Sequence, residues 1–293
     1  MLVFGGNMFL EYIFLAAVVV GVTVQNVTRK SFNSKARGGA FTFSAAATLF
    51  ALLVFVVTSG GRFEFNLSIV PYALIFAVAY IATAVFMLLA IKEGSLALTS
   101  LIIQYSLIMP TVFGFALLGE EVGVFLIVGI ALLLVSLALI NLEGKSDKKT
   151  VTPRWLIYVI LSFLGNGLCS TSQKAQQIYC DGQYKNEFMI VALSISFVFM
   201  LFAALITERK DMLHNLKVGV PTYSICGIAN GLVNFLVLVL STRMPASVMF
   251  PVISAGGIIA TYFVSLFIYK EKMSTRQTTG LFVGIASIIA LNL

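Results

Sequence analysis

Residues 67–91 read LSIVPYALIFAVAYIATAVFMLLAI, a stretch without a single Asp, Glu, Lys or Arg. The hydrocarbon core of a bilayer is about 30 Å thick, and a helix of about 20 apolar residues crosses it. Because lipid offers the backbone amides no water to bond, a helix, which bonds them within its own segment, is favoured. We therefore predict a membrane-spanning helix over this stretch.

Similar apolar runs recur along the chain, separated by short polar breaks. They predict ten spans, at 8–29, 38–58, 67–91, 95–117, 123–141, 154–175, 187–207, 218–240, 246–268 and 276–292. The longest and most polar break, residues 143–153, lies almost at the midpoint. We expect an all-α integral membrane protein with a first five-helix repeat at 1–142, a cytoplasmic linker at 143–153 and a second five-helix repeat at 154–293.

The composition agrees with a membrane protein and excludes other classes. Of 293 residues, 59% are hydrophobic and 11% are charged, whereas soluble domains carry about 25% charged residues. This excludes a soluble enzyme and a secreted disulfide scaffold. The net charge of +7 comes from basic residues in short loops, which is typical of membrane orientation and not of nucleic-acid binding. Three cysteines and one histidine lack metal-ligand spacing, so we expect no metal, no cofactor and no enzymatic activity.

The two halves of the chain resemble each other. At a separation of 151 residues, Glu120 corresponds to Glu271. At a separation of 144 residues, the stretch 21–30 corresponds to 165–174, and both begin with Gly and end with Lys. Because five spans is an odd number, the second half must enter the membrane from the opposite side. We expect an inverted repeat, which in transporters places the substrate site near the bilayer midplane between the halves.

The basic residues of the loops predict the orientation. If the first span runs from outside to inside, fifteen Lys and Arg residues, Arg29 among them, lie inside and four lie outside. Cytoplasmic loops carry an excess of Lys and Arg. We therefore expect both termini outside and the linker in the cytoplasm, in a multi-pass protein of the plasma (cytoplasmic) membrane.

Residues 271–280, EKMSTRQTTG, place a Gly nine positions after a Glu, at the start of the last predicted helix. The same spacing recurs at Glu120 and Gly129. With ten spans in two inverted halves, the chain resembles the drug/metabolite transporter superfamily, EamA type. The resemblance implies a secondary transporter that works by alternating access, with its helices packed around a central site.

The first span is similar to that of the small multidrug resistance branch, in which a membrane-buried Glu lies eight residues before a Lys. Val22 and Asn166 occupy this position here, before Lys30 and Lys174. The resemblance therefore does not carry over proton coupling through that Glu. Both lysines are expected to anchor helix ends at the interface, and a position at the mouth of a central cavity stays open for each.

Uncharged polar residues inside the predicted spans are the candidates for substrate binding. An Asn or Gln in hydrocarbon must find hydrogen-bond partners, either on a neighbouring helix or in a wet cavity. Both interpretations stay open for a single residue, and for the whole set we expect a cavity. The candidates are Gln25, Asn26, Tyr80, Thr83, Gln104, Tyr105, Asn166, Ser170, Tyr223, Asn230 and Asn234.

These features predict a secondary transporter that exports a small polar solute, neutral or zwitterionic and similar to an amino acid. The expected partners are this small-molecule substrate and the lipid bilayer, with no nucleic acid. Coupling to H⁺ or Na⁺, uniport, and a monomeric or homodimeric state stay open. The alternatives are a sugar or nucleoside uptake carrier of the same superfamily and a membrane sensor or assembly subunit that transports nothing, which would have a dry centre.

Overall fold

The computed structural model describes residues 8–119, 152–270 and 274–290, with single residues between 124 and 139. The described chain is helical, without strands in those ranges. Its helices are α1 (Met8–Lys35), α2 (Ala40–Thr58), α3 (Val70–Glu93), α4 (Leu96–Gln104), α5 (Ile108–Leu118), α6 (Pro153–Tyr179), α7 (Lys185–Thr207), α8 (Met212–Ser241), α9 (Ala246–Phe267) and α10 (Thr275–Ala290). A 3₁₀ turn at Leu67–Ile69 precedes α3, and another at Tyr105–Leu107 joins α4 to α5.

Among the described residues, eight helical segments are long and apolar enough to cross a bilayer. The pair α4 and α5 counts as one of them, Leu96–Leu118. The protein is therefore a multi-pass membrane protein. The last predicted span corresponds to α10, whose apolar part, Thr278–Ser287, is shorter than the other eight. Most of the predicted span at 123–141 and nearly all of the linker lie outside the described residues.

Several helices extend further than the hydropathy of the sequence predicts. The first ends at Lys35 and not at residue 29, so Arg29 and Lys30 lie within α1 and not in a loop. The eighth predicted span begins at Met212, six residues before residue 218, which places His214 on a helix. Hydropathy reports which residues lipid tolerates, whereas a helix ends where its backbone hydrogen bonding ends. Polar residues that pack against neighbouring helices therefore continue a helix beyond its apolar run.

The outer and inner surfaces of the bundle have the polarity expected in lipid. Large apolar side chains such as Val57, Val78 and Phe202 are exposed on the outside, whereas the polar side chains of Thr48 and Gln176 are fully buried inside. A soluble bundle shows the opposite distribution. These two side chains bond within the protein: the Thr48 hydroxyl donates to the Ser44 carbonyl of its own helix, and Gln176 Nε2 donates to the Gln183 carbonyl.

Glu208, at the C-terminal end of α7, caps the N-terminus of α2. Helix N-termini leave backbone N–H groups without intrahelical partners, and the residue before α2 is Gly39, which has no side chain to accept them. The Glu208 carboxylate accepts instead from the backbone N–H groups of Phe41 at 3.0 Å and Thr42 at 2.8 Å. The negative charge also suits the positive end of the helix dipole. This contact fixes the α1–α2 connection against the α7–α8 connection.

The helices pack in long pairs around a common centre. Helix α3 packs along α6, and α1 packs along α8. Helix α2 contacts α7 and α8, and α9 contacts α1, α4 and α5. At the α3–α6 crossing, a Cβ atom on Gly165 would clash with the Ala79 carbonyl and with Thr83. Glycine at this position allows the two helix backbones to approach closely.

Candidate functional site

A cavity of about 110 Å³ lies at the centre of the bundle. Residues from α1, α3, α4, α6, α8 and α9 form its walls, whereas α2 and α7 contribute none. The polar lining residues are Gln25, Asn26, Arg29, Tyr80, Thr83, Ser100, Gln104, Asn166, Ser170, Gln173, Asn230 and Asn234. Apolar side chains such as Val22, Phe76 and Phe250 line the remainder. The cavity therefore offers hydrogen-bonding groups together with an apolar surface.

The structure brings most of the predicted site residues to this cavity. The predicted residues that line it are Gln25, Asn26, Tyr80, Thr83, Gln104, Asn166, Ser170, Asn230 and Asn234. Tyr105 and Tyr223 are not among the lining residues. The prediction of a cavity position is therefore wrong for these two tyrosines.

Tyr105 points away from the cavity and toward the last helix. It is buried, and its hydroxyl lies 2.6 Å from the Ser136 hydroxyl. A Cβ atom on Gly284 of α10 would meet the Tyr105 hydroxyl oxygen. Successive residues of a helix point about 100° apart, and this rotation turns Tyr105 toward α10 while Gln104 lines the cavity. Tyr105 therefore holds the α4–α5 segment against α10.

Tyr223 lies on the same side of α8 as Asn230 but at a different depth. Seven helical residues span about 10.5 Å along the axis. The Tyr223 ring packs instead beside Phe50, with ring centroids 6.0 Å apart, and against Gly219. Although Tyr223 and Asn230 lie on one side of α8, their different depths along the helix leave Tyr223 outside the cavity lining.

A chain of hydrogen bonds joins the amides of the cavity. The Tyr80 hydroxyl donates to Asn230 Oδ1 at 2.8 Å, and Asn230 Nδ2 donates to Gln25 Oε1 at 2.9 Å. Gln173 Nε2 donates to Asn234 Oδ1 at 2.9 Å, and Asn234 Nδ2 donates to the Asn230 carbonyl at 2.8 Å. The bonds link α1, α3, α6 and α8. These residues thus connect helices and line the cavity at the same time.

Asn166 is held by the break between α4 and α5. Its Nδ2 donates to the Ser106 hydroxyl at 2.7 Å. Ser106 belongs to the 3₁₀ turn at Tyr105–Leu107, four residues before Pro110. Proline has no N–H for the carbonyl four residues earlier, and a helix is interrupted there. The interruption presents Ser106 to α6, and Gly167 allows the close approach, because a Cβ atom there would meet the Ser106 carbonyl.

Arg29 is the main cavity residue that the sequence analysis missed. The charge pattern of the sequence predicts a cytoplasmic loop position for it, but it is only 8% exposed and lines the cavity. Its Nη2 lies 3.3 Å from Gln25 Oε1, and its Nη1 lies 3.5 Å from Asn26 Oδ1. Residues at positions i, i+1 and i+4 of a helix lie on one broad face. The spacing of Gln25, Asn26 and Arg29 therefore contained the signal, had the helix been extended past residue 29.

The two lysines that the sequence aligns, Lys30 on α1 and Lys174 on α6, are not among the residues that line the cavity. Lys174 is buried, and its Nζ donates to the carbonyls of Ser241 at 2.9 Å and Met244 at 3.0 Å. A cation at the C-terminal end of α8 suits the negative end of that helix dipole. The Lys30 ammonium lies 4.7 Å from the centre of the Tyr269 ring. Ser100, Cys169 and Gln173 are further lining residues that were not predicted.

The comparisons with known proteins concern the fold alone. No family model and no curated protein matches the chain. A solved structure described as "Crystal structure of protein" superposes with a TM-score of 0.62, over 96% of this chain and 95% of that chain, at 10% sequence identity. The fold is therefore shared with a solved structure over nearly the whole chain. Within the described residues, no group of His, Cys, Asp and Glu could hold a metal ion.

Proposed function

We propose that the protein is a secondary transporter of the drug/metabolite superfamily that moves a small polar metabolite by alternating access. The observation that carries the proposal is the cavity, lined by amides and hydroxyls, at the centre of apolar helices long enough to span a bilayer. Polar groups are costly inside membrane proteins, and they mark solute pathways where they gather. A sensor or assembly subunit with a dry centre has no use for such a cavity.

The pattern of helix contacts supports an inverted repeat. If α1, α2, α3 and the α4–α5 pair correspond to α6, α7, α8 and α9, each cross-half contact has a counterpart. The α1–α8 pair corresponds to α6–α3, the α2–α8 pair to α7–α3, and the α1–α9 pair to α6 with α4 and α5. Alternating access in such folds is largely a rocking of one half against the other around a fixed site.

Lining residues and glycines of the two halves also correspond. At a separation of 144 residues the lining pairs are Val22 with Asn166, Gln25 with Cys169, Asn26 with Ser170, and Arg29 with Gln173. At a separation of 150 they are Tyr80 with Asn230, Thr83 with Val233, Ala84 with Asn234, Met87 with Val237, Ser100 with Phe250, and Ile103 with Ile253. The same separations relate Gly165, which abuts positions 79 and 83, to Gly21, which abuts 229 and 233. The separation of 150 residues that relates α3 to α8 is one residue shorter than the separation of 151 residues between Glu120 and Glu271.

The cavity favours a small solute that forms hydrogen bonds. Its volume of about 110 Å³ is below the roughly 300–1,000 Å³ of pockets for drug-sized ligands. In this conformation it suits a solute of amino-acid size better than a nucleoside. Export, with both termini outside and the linker in the cytoplasm of a plasma-membrane protein, is part of the proposal and rests on the sequence alone.

Flux through the purified protein tests the proposal. Proteoliposomes containing wild-type protein are expected to exchange at least one member of a mixture of labelled L-amino acids. Asn230→Ala removes an amide that bonds Tyr80 and Gln25. We expect the variant to bind solute with about tenfold weaker affinity, which corresponds to about 1.4 kcal/mol. Asn166→Ala is expected to act similarly.

Asn186→Ala is the matched control, because this amide lies at the start of α7, away from the cavity lining. It should exchange solute at the wild-type rate. Exchange of labelled sugars or nucleosides in place of amino acids would favour the alternative carrier. Wild-type rates in both cavity variants would contradict the assignment of the cavity as the solute site.

A further inference from the structure

Among the described residues, the Arg29 guanidinium has no negatively charged partner in the cavity. Neither Asp nor Glu is among the described residues that line it. The partners of the guanidinium are neutral: Gln25 Oε1 at 3.3 Å, Asn26 Oδ1 at 3.5 Å and Met87 Sδ at 3.5 Å. The two contacts to oxygen exceed the usual 2.7–3.2 Å of N–H···O bonds, and the thioether sulfur is a weak acceptor. Within the described part of the chain, a cation that is 8% exposed is therefore held by weak neutral contacts, although a buried charge is costly without a counter-charge.

The two contacting amides are themselves fixed by other helices. Gln25 Oε1 also accepts from Asn230 Nδ2 at 2.9 Å, and Asn26 Nδ2 donates to the Thr261 hydroxyl at 3.2 Å. Their oxygen atoms orient the guanidinium without neutralising it. An arginine has five N–H donors in a planar fork, and the three contacts leave two of them for a further ligand.

Two more polar groups of the cavity wall lack partners among the described residues. The Ser100 hydroxyl and Gln104 Nε2 are buried without a hydrogen bond, and both residues line the cavity on α4. Helix α4 contacts α1, the helix that carries Arg29. Buried polar groups in native proteins are normally satisfied. An anion in the cavity, bound by Arg29, would meet a serine hydroxyl and an amide N–H₂ that both donate.

We infer that Arg29 binds a carboxylate group of the transported solute, with Ser100 and Gln104 as further donors. The inference rests on the proposed function and narrows it from polar solutes to acids, including zwitterionic amino acids. A carboxylate accepts two parallel hydrogen bonds from an Arg fork. One cation in a cavity of about 110 Å³ balances one carboxylate, whereas a phosphate dianion would leave a negative charge uncompensated.

Thermal stabilisation of the full-length protein in detergent tests the inference directly, since a ligand that binds the folded state raises the melting temperature. The probes are L-amino acids and propionate, each paired with its amide, together with inorganic phosphate. We expect at least one acid to stabilise the protein while its amide does not. Equal stabilisation by acid and amide, stabilisation by phosphate alone, or no stabilisation by any acid would overturn the inference.

Variants then assign the effect to Arg29. Losing one partner of a buried, hydrogen-bonded charge pair typically costs at least about 30-fold in affinity, so R29Q should weaken acid binding by that factor or more. R29K keeps the charge but loses the fork, and we expect a loss of about tenfold. R62Q removes an exposed arginine and should bind as the wild type does. Unchanged acid binding by R29Q would also overturn the inference.

S100A separates binding from folding. Because the Ser100 hydroxyl is unsatisfied, its removal should leave the melting temperature of the empty protein unchanged or raised, while acid affinity falls by about fivefold. Solute flux in proteoliposomes is measured in parallel. If the wild type transports only solutes that lack a carboxylate, and R29Q transports them at the same rate, the proposed function stands and the carboxylate site is overturned. Acid stabilisation without any flux would overturn transport alone.

Discussion

Helices α1 and α6 face the same cavity, yet of the two only α1 contributes a charge. Where α1 presents Arg29, α6 presents Gln173, and both side chains line the cavity. The glutamine has a close partner, Asn234 Oδ1 at 2.9 Å, whereas the contacts of the arginine are longer. The comparison shows that the cavity has a charged side on α1 and a neutral side on α6. We expect a bound acid to place its carboxylate toward α1.

The largest expected effect compares the glycine crossings of these two helices. A Cβ atom at Gly165 would meet the backbone of Ala79 and Thr83, whereas one at Gly21 would meet mainly a side-chain methyl group of Val233. Overpacking costs about 1–3 kcal/mol. We expect Gly165→Ala to lower the free energy of unfolding by about 3 kcal/mol and Gly21→Ala by about 1 kcal/mol.

Unfolding of the purified protein in a denaturing detergent measures both values. Ser224→Ala, on an exposed part of α8, is the control and should be close to neutral. Gly60→Ser is not a suitable control, because the φ of 61° at Gly60 would strain any side chain placed there. Equal losses for the two glycine variants would show that the crossings do not differ in tightness.

A smaller effect is expected from Gln173→Ala, the counterpart of removing Arg29. The variant loses the bond to Asn234, which corresponds to about 1 kcal/mol of stability. Because Gln173 carries no charge, the preference for an acid over its amide should persist, and acid affinity should fall by less than about fivefold. The measurement is the same acid and amide series in a thermal-shift assay. Loss of the preference in this variant would contradict the assignment of charge recognition to α1.

The smallest perturbation is chemical labelling of the α6 wall. Cys169 lines the cavity, whereas Cys226 is buried away from its lining. In a Cys180→Ser background, we expect a small thiosulfonate reagent to modify Cys169 slowly and Cys226 hardly at all. An excess of a stabilising acid should protect Cys169 further. Mass spectrometry of the intact protein locates the adduct, and faster modification of Cys226 would contradict the description of the cavity.

The sequence was sufficient for the eight long spans that the structure describes, because hydropathy follows directly from residue type. Runs such as 67–91 have to be buried in lipid as helices whatever surrounds them. The amides Asn166, Asn230 and Asn234 could also be selected from the sequence, because an amide in hydrocarbon requires a partner. Their positions on the cavity wall follow the prediction.

The direction and depth of individual side chains depend on neighbours that are distant in the chain. Tyr105 and Tyr223 lie in the right helices, but one faces α10 and the other lies about 10.5 Å from Asn230 along the helix axis. Periodicity within one helix does not say which face meets which neighbour, nor at what height.

The amino-acid sequence alone determined that this chain crosses a membrane repeatedly and which uncharged groups it hides there. Only the tertiary structure decided that Arg29 is one of the hidden groups and that its partners are neutral. The physical reason is that the cost of a charge depends on what surrounds it. An arginine at the end of an apolar run is exposed to water in an isolated helix, and α1 encloses it in a cavity only by packing against α3, α8 and α9.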